Sequence, residues 1–266
     1  MLHQLAALTK IQVAYNLHFR TEAMLWAAVD LVQFVVLFFV VQAIYGSNST
    51  VNGISLAYSL HYFLIIIVIN TLTATHFEEW LGGLVKEGKM DMQLIKPLSP
   101  NTLYGWTGII RKNITTMIKL PLLLSFFIFV SLSFGVDFPR PETGQLFQLA
   151  LLLIGCLFVQ TAISLIIGWL TFWFENASSL IHFKGVLFAL FSGSMLPSQL
   201  LPPWLRTVTN ALPLKYFGTV PAQVWLGTYS LELFDALYFS VFAIVIFAVL
   251  KMTFNNGIRH YVSAGG

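Results

Sequence analysis

Cysteine and charge are what this sequence has least of. Cys156 is the only cysteine in 266 residues and lies inside an apolar block, so an intrachain disulfide and a cysteine-based metal site are both excluded. Lys, Arg, Asp and Glu make up 9% of the chain, where a soluble globular domain carries about 25%. So few charges cannot coat a water-facing surface. The six histidines include no H-x-x-x-H pair that would face one side of a helix, so no metal site is expected. No nucleophile elbow and no G-x-G-x-x-G occur, which removes two common marks of enzyme chemistry.

Long apolar blocks stand in place of charge. The chain is 57% hydrophobic and 15% aromatic, and its apolar residues run together instead of alternating. About 20 mostly apolar residues cross a bilayer. Six blocks of that kind can be read, at about 25–45, 56–77, 114–134, 146–174, 183–200 and 233–251. The expected fold is an all-α polytopic membrane protein with six transmembrane helices, a single domain over residues 1–266. The first block follows a polar stretch and is long enough to span, so no cleaved leader is expected. Sequons at Asn48 and Asn176 are close to what chance gives in a chain this size, and Asn176 falls on the side assigned below to the cytosol.

Orientation follows from where the basic residues fall. "GSNSTVNGIS" has no Lys or Arg, and "GVDFPRPETG" has only Arg140. The opposite connections carry Lys10, Arg20, Lys86, Lys89, Lys96, Arg111, Lys112, Lys184, Lys251 and Arg259, with Lys119 at a membrane edge. Positive loops stay inside, which puts both termini and the 78–113 connection in the cytosol. Arg206 and Lys215 are the exceptions.

Two stretches are irregular in composition. Residues 1–22 place Leu5, Leu8, Tyr15 and Phe19 near one another at helical spacing, with Lys10 and Arg20 elsewhere. That pattern suits a helix lying in the cytosolic interface, or else an extension of the first span. Residues 196–228 are apolar and aromatic but hold Pro197, Pro202, Pro203, Pro213 and Pro221, which interrupt helices. The expected form is two short re-entrant helices, about 203–211 and 219–226, dipping into the outer leaflet with Trp204, Tyr216 and Trp225 as anchors. An external loop lying on the membrane is the other reading.

Residues 83–89 read G-x-x-x-x-G-K, most of a phosphate-binding loop. Met90 follows where Ser or Thr would hold Mg²⁺, and a thioether is a poor ligand for a hard cation. The stretch also follows a membrane helix, with no strand before it. The segment 78–100 therefore reads as a cytosolic docking element. Met90, Leu94 and Leu98 recur at i, i+4, i+8 for an amphipathic helix, Gly88 permits a sharp turn, and Lys96-Pro97 closes the helix.

Together, the six spans, "EGKMDMQLIKPLSP", the spaced prolines of "LPSQLLPPWLRTVTNALP" and the ending "RHYVSAGG" resemble the permease subunits of type-2 ATP-binding-cassette (ABC) exporters. The resemblance covers nearly the whole chain. Its most specific part is Gly88, Met90, Asp91, Leu94, Ile95, Pro97 and Leu98. Gly82-Gly83 and the polar start of the first span depart from the pattern. The resemblance implies a coupling helix seated on a separate ABC ATPase subunit, which binds the ATP and Mg²⁺, and no cofactor in this chain. It also implies a second permease subunit, the same or related, and a multi-pass place in the bacterial plasma (inner) membrane.

On that resemblance Glu87, Lys89 and Asp91 would select the ATPase by charge, while Met90, Leu94 and Leu98 pack against it. Glu175 and Lys184 would make a smaller second contact, unless they are solvated loop residues. The resemblance also sets spans two and five along the translocation path, through Asn70, Thr71, Thr73, Phe188, Phe191, Ser192, Ser194 and Met195. Plain helix packing is the other account of these small and hydroxylated residues. A cavity of Phe, Met and Ser or Thr would suit an amphiphilic or lipophilic substrate.

Asp30 has three readings: an interfacial residue, a structural partner to a neighbouring helix, or a counter-ion for substrate. Other classes of protein remain open at this point. An ion-gradient-driven secondary transporter would show internal repeats and midplane acids, and only Asp30 and Asp235 qualify. A membrane scaffold, or an enzyme built from dispersed residues, also stays open.

Overall fold

A computed structural model of the chain describes residues 2–18, 20–46, 48, 50–134, 141–174 and 177–261. Phe19, Arg140, Glu175, Asn176 and the last five residues lie outside the described residues, and so do the expectations that rest on them.

Helix α1 (Leu2–His18) lies along the start of α6, where the Trp106 indole donates to Thr9 Oγ1 at 3.2 Å. Leu5 and Leu8 are half-buried on that side, but Tyr15 is exposed, so these three of the apolar residues expected to cluster are not buried together. Helix α2 (Arg20–Tyr45) begins five residues before the expected span. It buries one stripe, Ala23, Ala27, Phe34, Val41 and Tyr45, and leaves Leu25, Val32 and Phe39 more than 60% exposed. A water-soluble monomer rarely exposes so continuous an apolar face.

A hairpin of β1 (Thr50–Val51) and β2 (Ile54–Ser55) joins α2 to α3 through Asn52-Gly53, both at positive φ. This is the turn chemistry that two-residue hairpins favour. Ser55 Oγ then accepts from the Tyr58 backbone N–H and caps α3 (Leu56–Thr73). Helix α3 is the centre of the molecule. It is buried nearly all round and packs against α2, α6, α7 and α10. It stops at Thr73, four residues short of the expected end, and Ala74–Phe77 are not helical before α4 (Glu78–Lys86).

After α4 come the one-turn helix α5 (Asp91–Leu94) and the long α6 (Pro100–Phe134). The Ser99 hydroxyl accepts from the Thr102 N–H and Pro100 starts the helix, a common N-terminal arrangement. With 35 residues α6 is about 52 Å long, well beyond a hydrocarbon core of about 30 Å. The expected span began at 114; the mixed polarity of "NTLYGWTGIIRKN" hid nearly four further turns. Helix α7 (Thr143–Trp169), capped reciprocally by Glu142 and Gln145, and α11 (Leu233–Gly257) pack closely together and match expectation.

Expectation and structure part at the fifth block. Among the described residues five helical stretches are long and apolar enough to cross a membrane: Thr21–Tyr45, Leu56–Lys86, Pro100–Phe129, Thr143–Phe172 and Leu233–His260. Helix α8 (Ser178–Phe191), in place of a span at 183–200, has 14 residues and a length of about 21 Å. Just past its end the backbone carbonyls are taken by other elements. The Ser192 carbonyl accepts from the Thr219 N–H at 2.7 Å and the Thr219 hydroxyl at 2.9 Å, and the Gly193 carbonyl from the Tyr62 hydroxyl at 2.8 Å. The chain continues without helix to Pro197 and enters a short 3₁₀ turn, Ser198–Leu200, where the Gln199 carbonyl accepts from the Asn52 amide beside the hairpin.

Helices α9 (Pro203–Ala211) and α10 (Thr219–Trp225) fall where the proline spacing puts them. Trp204 is exposed, but Tyr216 is fully buried and does not anchor at a surface. Its hydroxyl donates to Asp235 Oδ1 at 2.7 Å, while the Tyr229 hydroxyl donates to Oδ2 at 2.8 Å. That carboxylate clamps the proline-rich segment onto the start of α11.

Candidate functional site

The segment from Glu78 to Leu98 is built as a rigid projection. Helix α4 buries Glu78, Leu81, Gly82 and Val85 on one face. Two glycines let it lie close against α7: a Cβ on Gly82 would meet Thr171 Cγ2 at 2.8 Å, and one on Gly168 would meet Leu81 Cδ2 at 2.5 Å. Gly83 faces open space. The doublet that departs from the pattern therefore seats the helix closely at Gly82.

Gly88 ends α4 as the sequence suggests. It holds φ +68°, with its N–H on the Val85 carbonyl and the Lys89 N–H on the Leu84 carbonyl. These are the two crossed bonds of a Schellman turn. The chain reverses and drives Met90 into the core, fully buried among Leu81, Val85, Leu103, Tyr104 and Trp169. Met90 is thus a pin for this segment and not a contact offered to another subunit. The i, i+4, i+8 pattern was read onto the wrong partner, because a pin and a docking residue are equally apolar.

Beyond the pin the expected amphipathic helix shrinks to the single turn α5. Leu94 is 42% and Ile95 84% exposed, flanked by exposed Glu87, Lys89, Asp91, Lys96 and Pro97, with Leu98 half-buried behind them. Glu87 and Lys89 pair at 2.5 Å. Ile95, the most exposed large apolar residue among the described residues, stands at the tip. Tyr261 lies against the Asp91 side; burial first, then that carboxylate, raises its phenol above the usual value. The rings of Tyr261 and Phe172 pack edge to face.

Lys184 is not at a surface. It is 7% exposed, and its ammonium meets three acceptors: the Glu78 carboxylate, the Thr75 carbonyl at 2.9 Å and Ser164 Oγ at 3.1 Å. Glu78, which stands with His76 and Glu79 at the end of the second apolar block, is 1% exposed and not interfacial. Thr75 lies in the non-helical stretch after α3, where its carbonyl is served by Lys184 and by Ser164. Next to it, Gln160 Nε2 donates to Thr73 Oγ1 at 3.1 Å. One polar column therefore ties α3, α4, α7 and α8 at the break from which the projection starts. The pairing of Glu78 with Lys184 was not legible in the sequence; an acid and a lysine each near a span end are the only signal it offered.

The residues expected along a path are scattered. Thr71 and Thr73 are buried and serve neighbours, the Thr71 carbonyl accepting from Thr116 Oγ1 at 2.6 Å. Ser192 is buried as the acceptor for Thr219, and the Phe188 ring lies against Phe217. Thr71, Thr73 and Ser192 are therefore structural in this chain. Asn70, Phe191 and Ser194 are half-buried, and Met195 is exposed. Asp30 pairs with Lys119 at 2.5 Å, which makes it the structural partner of a neighbouring helix.

The family described as ABC-2 family transporter protein has a sequence model that matches residues 31–265. The matched stretch takes in both the pinned projection and the proline-rich segment. Comparison with curated proteins gives no match.

Proposed function

The chain belongs to the ABC-2 transporter family, and from that premise we propose that it is the permease subunit of an exporter. ATP and Mg²⁺ bind a separate ATPase subunit, and an amphiphilic or lipophilic substrate moves outward between this chain and a second permease subunit. The observation that carries this reading is the projection itself. An apolar tip at Leu94 and Ile95 is ringed by charge and held by a Schellman turn and a buried methionine. Such a tip seats in a groove, and the basic residues around it put it on the cytosolic side.

The chain itself binds no nucleotide in this reading. Gly88 and Lys89 sit at the C-terminal end of α4, where free carbonyls and the helix dipole repel phosphate; a phosphate loop needs a helix N-terminus. Six crossings are supported by the path of residues 178–200. Lys184 is tied to Thr75 below α3 and Gln199 to Asn52 above it, so helix and non-helical chain together run the length of α3. Both termini are then cytoplasmic, in a bacterial inner membrane. Phe183, Val186 and Leu190 form an exposed face of α8 that suits a second permease subunit. The coupling between ATPase and path is the Glu78–Lys184 tie, through which a push on the projection reaches α8.

An ion-gradient transporter fits less well, since Asp30 is held by Lys119 and Asp235 by two tyrosines. The test is to solubilise the tagged chain gently from native membranes. Co-purification of an ATPase subunit with vanadate-sensitive hydrolysis is expected; a chain that emerges alone and inert would turn the work to ion-gradient flux.

A further inference from the structure

Helices α2 and α6 run parallel, tied by two ion pairs eight residues apart on each helix: Glu22–Arg111 and Asp30–Lys119. Eight residues are about 12 Å of helix, so the pairs are rungs at two depths. The inner rung is closed, at 2.5 Å and mostly buried. The outer rung is open: its charges are 3.5 Å apart and about half exposed. A charge-assisted hydrogen bond is normally about 2.7–2.9 Å, so neither group is satisfied by the other.

A small notch opens at the outer rung, walled by Tyr15, Trp26, Thr115, Glu22 and Arg111. Further along the same seam lies an apolar groove of about 390 Å³ between Ala27, Ala28, Leu31, Leu122 and Phe126. Polarity thus falls along the helix axes from a zwitterionic end with two aromatic rings to a groove that is apolar except for Ser125. Tyr and Trp favour the headgroup level of a bilayer, and the basic residues place this end at the cytosolic leaflet.

We propose that this seam is a binding site for one phospholipid of the cytosolic leaflet, with a phosphodiester and a primary ammonium in its head. The phosphate sits on Arg111, whose guanidinium offers five donors, and on the Trp26 indole N–H. The ammonium donates to the Glu22 carboxylate, and an acyl chain lies in the groove beyond Ala28. Charge complementarity selects the occupant. An anionic head would leave Glu22 facing negative charge, and a quaternary ammonium has no N–H for the carboxylate. The closed Asp30–Lys119 rung, neutral as a pair, stops the head from sinking deeper.

The probe is the complete detergent-purified complex titrated with phosphatidylethanolamine, phosphatidylcholine or phosphatidylglycerol and read by native mass spectrometry. Phosphatidylethanolamine should be retained in preference to both others. Glu22→Gln should weaken its retention about tenfold, the effect of losing one charged hydrogen bond, and leave phosphatidylcholine unchanged. Ala28→Trp, at an exposed position, should block the groove for every lipid. The exchange Glu22→Arg with Arg111→Glu keeps both charges and should restore the preference, which separates recognition from misfolding. Equal retention of the three lipids, a preference for phosphatidylglycerol, or retention unaffected by Glu22→Gln and Ala28→Trp would each overturn the proposal.

Discussion

Lys184 on α8 and Glu78 at the first turn of α4 form an ion pair that is almost wholly out of solvent, at the one place where the central helix of the molecule is broken. Both charges are fully partnered there, because Thr75 and Ser164 take the remaining donors of the ammonium. The pair joins the projection to α8, an apolar helix too short to span alone.

Removing one charge of this pair should cost far more than removing both. Lys184→Met strands a buried carboxylate, a loss of about 3–5 kcal/mol. The double variant Lys184→Met with Glu78→Leu should regain most of it. Thermal unfolding in detergent measures the order: wild type at or near the double variant, and the single variant well below. A single variant as stable as the wild type would mean that the pair is not formed.

The two adjacent glycines of α4 should respond oppositely to alanine. Gly83→Ala meets open space in a helix and should stabilise by about 0.5–1 kcal/mol. Gly82→Ala pushes on the buried Thr171 and should destabilise and displace α4. Unfolding midpoints of the two variants decide this.

Met90 and Ile95 separate folding from docking. Met90→Ala empties a fully buried site and should lose about 2–5 kcal/mol. Leu94→Glu with Ile95→Glu should leave stability unchanged and abolish association with the ATPase subunit. A doubly charged tip that still associates at full yield would remove the coupling assignment.

Alkaline pH should loosen the outer clamp. Burial, with the Asp235 carboxylate beside it, raises the Tyr229 hydroxyl from the usual phenol value of 10.0 to about 12. The folded state therefore holds this proton more tightly than the unfolded chain. Its contribution is complete below about pH 10 and is lost as pH rises through about 12. Stability should fall across that window, and the fall should be shallower in Tyr229→Phe.

Much of the fold was legible because lipid-facing helices announce themselves by length and composition. The proline spacing located α9 and α10, and Gly88 marked a real reversal. Depth was not legible. Lys184 looks like any basic residue flanking a span, and nothing in a linear sequence says that the Thr75 carbonyl waits for it inside. Met90 and Ile95 are both apolar neighbours of a turn, and only packing separates the pin from the tip. The Asn52-Gly53 hairpin did carry its signal in "TVNGIS" and was overlooked beside longer apolar runs.

The central claim is that the tip at Ile95 touches an ATPase subunit. Cys156 is the only cysteine and is buried, so Ile95→Cys supplies a single accessible thiol. Membranes carrying this variant would be treated with a short thiol-to-amine cross-linker with and without ATP and vanadate. A nucleotide-sensitive cross-link from residue 95 to an ATP-binding subunit is the predicted result. A thiol that labels freely yet links to no ATP-binding protein in either state would contradict it.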